Sequence, residues 1–359
     1  MEQSSRSDEV WVLGATGRTG RAVAARLAQV AVPLVLVGRS RDRLHQVREA
    51  LGLNGDTKVV VVDTAEAVAA EVARQRPAVV VNTLGDYART ALPIIRACMP
   101  GGHYVDFAAD LDAIRQLSEL HEHAVDAGST LVTGAGFGVL GTEAVVARLC
   151  EGRPAPSRVR VDALASVAIE AGRLGTALAA SMVDVLATGG RRYVDGRLVR
   201  SRLGSDAYRL DLPDGEQVTS VGAPTGELYA AHTVSGAPSV TATSTLVPAA
   251  PAVRAMLPVL GALLAVPALR RLAVARLARI EVKAAPRPRA HTWGHAVVGW
   301  SDGTEREGWL RAGEAMDFTA GVAAGVVERL VRGEGKPGAS TPGVAFGPEV
   351  AVEAGATFV

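Results

Sequence analysis

The first 150 residues alternate short apolar blocks with longer stretches of mixed polarity. The blocks are Val10–Leu13, Leu34–Val37, Lys58–Val62, Ala78–Asn82, His103–Asp106 and Thr130–Thr133. Their Val and Leu run without a polar alternation, as in strands covered on both faces. Between them, apolar positions recur at helical spacing near 20–30, 41–51, 65–75, 89–99 and 111–127. Strand and helix alternating at this interval predict a Rossmann-type α/β fold, a doubly wound parallel sheet.

From about residue 151 the pattern changes. Arg158–Ile169 reads as a strand and Thr176–Ala187 as a helix. Turn dipeptides then punctuate β-like runs at Asp195-Gly196, Asp214-Gly215 and Asp302-Gly303. These features predict an α+β domain built largely of antiparallel strands. The tail returns to a helix at Phe318–Val331 and then a Pro/Gly-rich end at Gly333–Pro348.

The first block feeds directly into Gly14-Ala15-Thr16-Gly17-Arg18-Thr19-Gly20, and a helical stretch follows. Glycines at positions 1, 4 and 7 between strand and helix suit a dinucleotide phosphate. The tight turn brings backbone N–H groups to the pyrophosphate, and the helix N-terminus adds partial positive charge. After the second block come Gly38-Arg39-Ser40-Arg41-Asp42-Arg43. An NAD site places a carboxylate here for the ribose 2′-hydroxyl, whereas a 2′-phosphate is met by arginine. Arg39, Ser40 and Arg43 therefore predict NADP(H). Asp63-Thr64, after the third block, is expected to flank the adenine. Asn82-Thr83-Leu84-Gly85, after the fourth, is expected under the nicotinamide-side ribose, since ligands sit at the carboxyl ends of strands.

These residues carry a resemblance. Gly14–Gly20, Gly38-Arg39-Ser40, Val81-Asn82-Thr83-Leu84-Gly85, Ala97-Cys98 and Gly102-His103-Tyr104-Val105-Asp106 come in the order and spacing of saccharopine dehydrogenase-like reductases, closest to the branch of trans-acting enoyl reductases. Gly136-Phe137-Gly138, the Gly175-Thr176 to Ser181 helix start, and Thr319-Ala320-Gly321 followed by Gly343 fit the same family. The resemblance implies a dinucleotide-binding domain over 1–150 plus 312–359, completed by a C-terminal helix, an inserted α+β substrate and dimerisation domain over 151–311, and a reaction site in the cleft between them. It covers most of 10–190 and 315–350. The chain departs from the branch at Asp86, where proline is usual, and at Gly138-Val139-Leu140-Gly141, where Asp and Pro are usual.

Hydride transfer is mainly placement of the cofactor against an electrophilic carbon, with a proton donor to assist. Asp106 and Tyr87 are the catalytic candidates, from a strand end and its neighbouring loop. Asp106 equally suits a turn-capping role. Tyr104 and Asp86 also lie at strand ends, and Glu143 reads as a helix-start residue. The lysine-dependent chemistry of short-chain dehydrogenases is excluded. The only lysines are Lys58, Lys283 and Lys336, and four residues before them stand Asn54, Arg279 and Arg332 instead of tyrosine.

Composition refines this picture. The 359 residues are 48% hydrophobic, with mean hydropathy +0.20 and net charge +1. No basic stripe for nucleic acid is present. Cys98 and Cys150 lie outside any metal-ligand spacing. Cys98, in an apolar helical stretch, is expected to be a buried thiol. His121 and His123, two apart on a helix, face different ways, and His291 and His295 fall in a predicted strand without a third ligand, so no metal site is expected. His232 is expected in a solvated strand. The polar N-terminus lacks a signal-type apolar run, and a cytoplasmic location follows as an expectation. Ala255–Leu269 is the most apolar segment, interrupted by Pro258 and Pro267. It is short of the about 20 residues that span a bilayer and reads as a packed helical pair facing a hydrophobic ligand or a partner subunit. No stable membrane insertion is expected; a membrane-surface contact is the lesser alternative.

The expected activity is NADPH-dependent reduction of a C=N or activated C=C bond in a small hydrophobic intermediate by a homodimer. A non-redox cyclase or isomerase with structural NADP, and an NADP-sensing regulator, stand as alternatives on the same scaffold.

Overall fold

A computed structural model describes residues 6–30, 32–53, 55, 57–247 and 250–359; Asn54 lies outside them. The chain forms two compact units.

The first unit comprises residues to Ala108, Asp112–Gly136 and Thr319–Phe346. Its strands are β1 (Val10–Leu13), β2 (Leu34–Gly38), β3 (Lys58–Val61), β4 (Val79–Asn82), β5 (His103–Asp106) and β6 (Thr130–Val132). Helices α1 (Arg18–Leu27), α2 (Arg41–Ala50), α3 (Ala65–Gln75) and α4 (Tyr87–Cys98) connect the first five. The sheet is parallel, in the order 6-5-4-1-2-3, and Gly338–Ser340 adds a seventh strand beside β6. The Pro/Gly-rich end thus supplies a strand that its composition does not announce. Every residue of β1, β2 and β4 is buried, which is why these strands read as unbroken apolar blocks. α4 buries Ala91, Ile94, Ile95 and Cys98, the i, i+3, i+4, i+7 stripe of a helix lying on a sheet. Burial pushes the Cys98 thiol up to about 12, so it packs as an inert apolar group.

The stretch predicted as one helix over 111–127 is two: α5 (Leu111–Ser118) and α6 (His121–Asp126). The Ser118 hydroxyl bonds back to the Ile114 carbonyl at 2.8 Å, and the Leu120 amide donates to Leu117. A back-bonded serine and a tightened last turn end the helix there.

The second unit comprises Ala109–Leu111, Phe137–Phe318 and Gly347–Val359. Its bounds differ from 151–311 at both ends. α7 (Phe137–Cys150) packs on strands of this unit and is buried over most of its length. The C-terminal Thr357–Phe358 pairs with Glu305–Ala312. An all-round apolar helix belongs under a sheet, and 137–150 covers this one. Glu143, predicted near a helix start, sits in the middle of α7 and is fully buried.

In chain order the unit continues with β7 (Arg158–Leu164), β8 (Gly172–Arg173), α8 (Thr176–Thr188), β9 (Gly190–Val194), β10 (Arg197–Ser201), β11 (Tyr208–Asp211), β12 (Gln217–Gly222), α9 (Gly226–Ser235), β13 (Ser239–Ser244), α10 (Pro251–Leu264), α11 (Pro267–Leu277), β14 (Glu281–Val282), β15 (Thr292–Gly299) and β16 (Glu305–Ala312). All but β8 and β14 join one mixed sheet, in which hairpins at Asp195-Gly196, Asp214-Gly215 and Asp302-Gly303 make the expected antiparallel pairs. α12 (Ala315–Val331) carries the chain back to the first unit. His232 lies in α9, not a strand, and stacks on Tyr193 with centroids 3.9 Å apart.

A buried polar seam crosses this sheet. His295 is fully buried, its Nδ1 2.7 Å from Asp162 Oδ2 and its Nε2 2.9 Å from Glu307 Oε1, with Trp309 stacked on the ring. Burial pushes the Asp162 carboxyl up, but His295, Arg160 and Thr243 outweigh it and hold it below the usual range. A lowered carboxyl stabilises the fold above its ordinary value, and that contribution fades as pH falls through the native value. His295→Ala leaves Asp162 buried without its main partner. The expected loss is about 3 kcal/mol, read as a lower Tm near neutral pH, with the gap narrowing in acid.

Candidate functional site

The strand order places the sheet's reversal between β1 and β4, the crevice where open α/β sheets bind ligands. The Gly14–Gly20 turn leaves β1 at that point. Gly14 has φ +73°, a left-handed conformation that favours glycine. The Gly17 amide donates to the Gly14 carbonyl at 2.8 Å, and the Ala15 amide donates to Val37 of β2 at 3.1 Å. Gly17 is the N-cap of α1 and has no side-chain cap, so the first amides of α1 are not claimed by a capping side chain. A Cβ at Gly20 would run into the Gly14 carbonyl oxygen, and would stand 2.9 Å from the Ala15 Cα. Glycine here lets α1 lie directly against the turn. Arg18 and Thr19 fill the first turn of α1, and the Arg21 guanidinium donates to the Thr16 carbonyl at 2.9 Å.

Across the reversal, Thr83 supports the turn. Its amide donates to the Leu13 carbonyl at 3.1 Å and its hydroxyl to the same oxygen at 2.7 Å. Asn82 is fully buried; its amide nitrogen donates to the Tyr104 hydroxyl at 2.9 Å and its oxygen accepts from the Leu84 amide at 3.0 Å. Asn82 and Thr83 therefore shape this loop from below, and Leu84 packs over Gly14. Gly85 (φ +74°) and Asp86 (φ +49°) are both left-handed. Proline is fixed near φ −65°, so the proline usual in the resembling branch is incompatible with this backbone. The departure at Asp86 is a change of loop conformation as well as of side chain.

At the end of β2, Arg39 and Arg43 are exposed, and no carboxylate pairs with either among the described residues. Ser40 caps α2, its hydroxyl oxygen 3.5 Å from the Arg43 amide. A concavity of 350 Å³ is lined by Thr16, Arg21, Arg43, Gln46, Val47, Ala50 and Leu51, joining the glycine turn to Arg43 of α2. Unpaired guanidiniums beside such a turn match a ribose phosphate. One strand further out, Thr64 caps α3 through the Ala67 amide at 3.1 Å, with Asp63 exposed beside it.

The two catalytic candidates are placed differently. Asp106 is fully buried, and its Oδ1 accepts from the Ala108 amide, the Thr133 hydroxyl and the Gly134 amide at 3.0, 2.7 and 3.2 Å. Burial raises its carboxyl despite these bonds. In this position it ties the loop after β5 to the loop after β6. Tyr87 opens α4, half-buried, with its ring packed on the apolar core.

A further carboxyl escaped the sequence reading. Glu227, the second residue of α9, is 6% exposed, and its Oε2 has no hydrogen-bond partner. Burial raises its pKa. It lies against Gly138 at the start of α7, where a Cβ would meet its Oε1 and stand 3.1 Å from its Cδ. Gly226 donates to the Ala109 carbonyl at 2.9 Å, holding this corner of the second unit together. The absent side chain at Gly138 is the one sequence signal that something else fills the space. Among the described residues no cluster of His, Cys, Asp or Glu could hold a metal.

Comparison with known proteins agrees with this geometry. Residues 10–132 match the family model described as saccharopine dehydrogenase NADP binding domain. A trans-acting enoyl reductase of Mycobacterium ulcerans is 35% identical over 142 residues, 38% of this chain and 34% of that protein. Its counterpart in Mycobacterium bovis is 33% identical over the same shares. The chain thus matches about a third of the length of these curated relatives. Apo saccharopine dehydrogenase (L-Glu forming) from Saccharomyces cerevisiae superposes with a TM-score of 0.63 over 98% of this chain and 100% of that one, at 12% identity. That likeness shows a shared fold. Over residues 10–132 the chain is similar to the saccharopine dehydrogenase NADP-binding domain family.

Proposed function

We propose that the chain is an NADPH-dependent reductase of a C=N or activated C=C bond in a small hydrophobic intermediate. The observation that carries this reading is the glycine turn at the strand reversal, with the unpaired Arg39 and Arg43 at the end of the neighbouring strand. The Gly17–Gly20 amides would hold the pyrophosphate, Arg39 and Arg43 the 2′-phosphate, and Thr83 to Gly85 would lie under the nicotinamide-side ribose. The bound dinucleotide supplies a hydride; the protein must fix its orientation and furnish a proton.

Reduction of an activated C=C bond leaves an enolate, and reduction of C=N leaves an amide anion unless a proton arrives. The names of the mycobacterial relatives favour the enoyl substrate of the two.

Titration with NADPH and NADH tests the cofactor assignment. The native chain is expected to prefer NADPH, and Arg39→Ala with Arg43→Ala is expected to weaken NADPH by about 10- to 100-fold, roughly 1.4–2.7 kcal/mol, while leaving NADH nearly unchanged. Equal loss for both dinucleotides would sink the assignment of these arginines to the 2′-phosphate. An NADPH-oxidation screen of enoyl thioesters and imines then separates the two bond types.

A further inference from the structure

Residues 251–280 contain only Ala, Val, Leu, Ile, Met, Pro, Gly and five arginines. α10 buries only Leu257, Gly261 and Leu264, one seam against α8, where a Cβ at Gly261 would stand 2.6 Å from the Leu186 carbonyl oxygen. Apart from the half-buried Arg254, the rest of its circumference is apolar and uncovered. Met256 is 71% exposed, Val259 66% and Leu263 51%. α11 continues the surface with Leu269 and Leu272, and α8 adds Leu178 and Met182, all exposed. An isolated exposed leucine is ordinary, but the contiguous face of α10 and α11, without one neutral polar residue, marks an interaction surface.

The charges around that face select its occupant. Arg271, Arg276 and Arg279 are exposed, and no carboxylate pairs with them among the described residues. Arg270 is held bidentately by Asp184 at 2.7 and 2.9 Å, which pins α11 to α8. No acidic residue occurs from 251 to 280. A second copy seated on this face by two-fold rotation would bring the same arginines together with no carboxylate from either helix to meet them. An apolar face rimmed by arginine is instead the complement of an anionic lipid surface. The side chains enter the acyl boundary while the guanidiniums reach the headgroups.

Geometry makes the contact interfacial. Among the described residues no single helix is long and apolar enough to cross a membrane, and α10 and α11 meet at a bend of 113°. The 14 residues of α10 span only about 21 Å, against a hydrocarbon core of about 30 Å.

We propose that α10 and α11 form a monotopic docking surface for an anionic lipid bilayer. Flotation of the full chain with vesicles of phosphatidylcholine, and of phosphatidylcholine mixed with an equal amount of phosphatidylglycerol, tests this directly. Strong recovery on the anionic vesicles, weakened by salt, is expected. Arg271→Glu with Arg276→Glu should reduce it by about tenfold or more, and Met256→Glu with Val259→Glu and Leu263→Glu should abolish it. All five residues lie on the outer surface, so Tm and NADPH affinity should hold. No flotation of the unsubstituted chain on anionic vesicles would overturn the proposal. So would recovery that the Met256, Val259 and Leu263 substitutions leave intact, or a dimer that those substitutions dissociate in a chain that binds no vesicle.

Discussion

Glu227→Gln is expected to hold its Tm as pH rises from mildly acidic to mildly basic buffer, where the parent loses stability. Gln keeps the size of the side chain and cannot ionise. Gly138→Ala probes the same corner from the opposite side. Its Cβ must displace the Glu227 carboxyl, so a lower Tm is expected there, by about 1–3 kcal/mol of overpacking. An equal pH dependence of Tm in Glu227→Gln and the parent would show that this carboxyl is not held neutral by burial.

A carboxyl raised by burial gives its full contribution below the unfolded value, and loses it as pH rises through the native value, since the native state then holds a charge it cannot solvate. The parent should therefore lose Tm between mildly acidic and mildly basic buffer relative to Glu227→Gln. Asp106, also raised by burial, contributes in the same direction to both chains, and Asp162, held low, contributes oppositely to both. The difference between the two chains isolates Glu227.

How far such features can be read from sequence depends on whether their partners are local. β1, β2 and β4 announce themselves because full burial forces continuous apolar side chains. The glycine turn is legible because strand, turn and helix are adjacent in the chain. Ser40 and Thr64, at strand ends where a dinucleotide would lie, each cap the helix that follows, a role that their position before a helix also announces. His295 could be placed on a strand, but its bond to Asp162 joins residues 133 apart through cross-strand register. Glu227 is hidden in the same way: its burial depends on α9 meeting α7. The apolar character of α10 is plain in the sequence, but sequence cannot say that only one narrow seam of it is covered.

Gly20→Val is expected to abolish measurable NADPH binding. At this glycine the obstruction is backbone against backbone: a Cβ meets the Gly14 carbonyl oxygen, its carbon at 2.8 Å and the Ala15 Cα at 2.9 Å. No rotamer change relieves that contact, so α1 must separate from the turn, and the amides that face the pyrophosphate lose their common direction. Overpacking of this kind costs about 1–3 kcal/mol of stability, while the loss of an oriented phosphate site exceeds about 100-fold in affinity, or ~2.7 kcal/mol. Gly17→Ala is the graded control. Its φ is −77°, allowed for any residue, and its Cβ would stand 3.2 Å from the Gly14 oxygen, so a modest weakening is expected. Gly14→Ala falls between them, with a left-handed φ and the Thr83 hydroxyl 2.8 Å from the new carbon. NADPH titration of the three variants should rank Gly17→Ala above Gly14→Ala above Gly20→Val, with Tm following the same order. Unchanged affinity in Gly20→Val would mean that the dinucleotide does not bind at the β1 turn, and the reductase reading would fall with it.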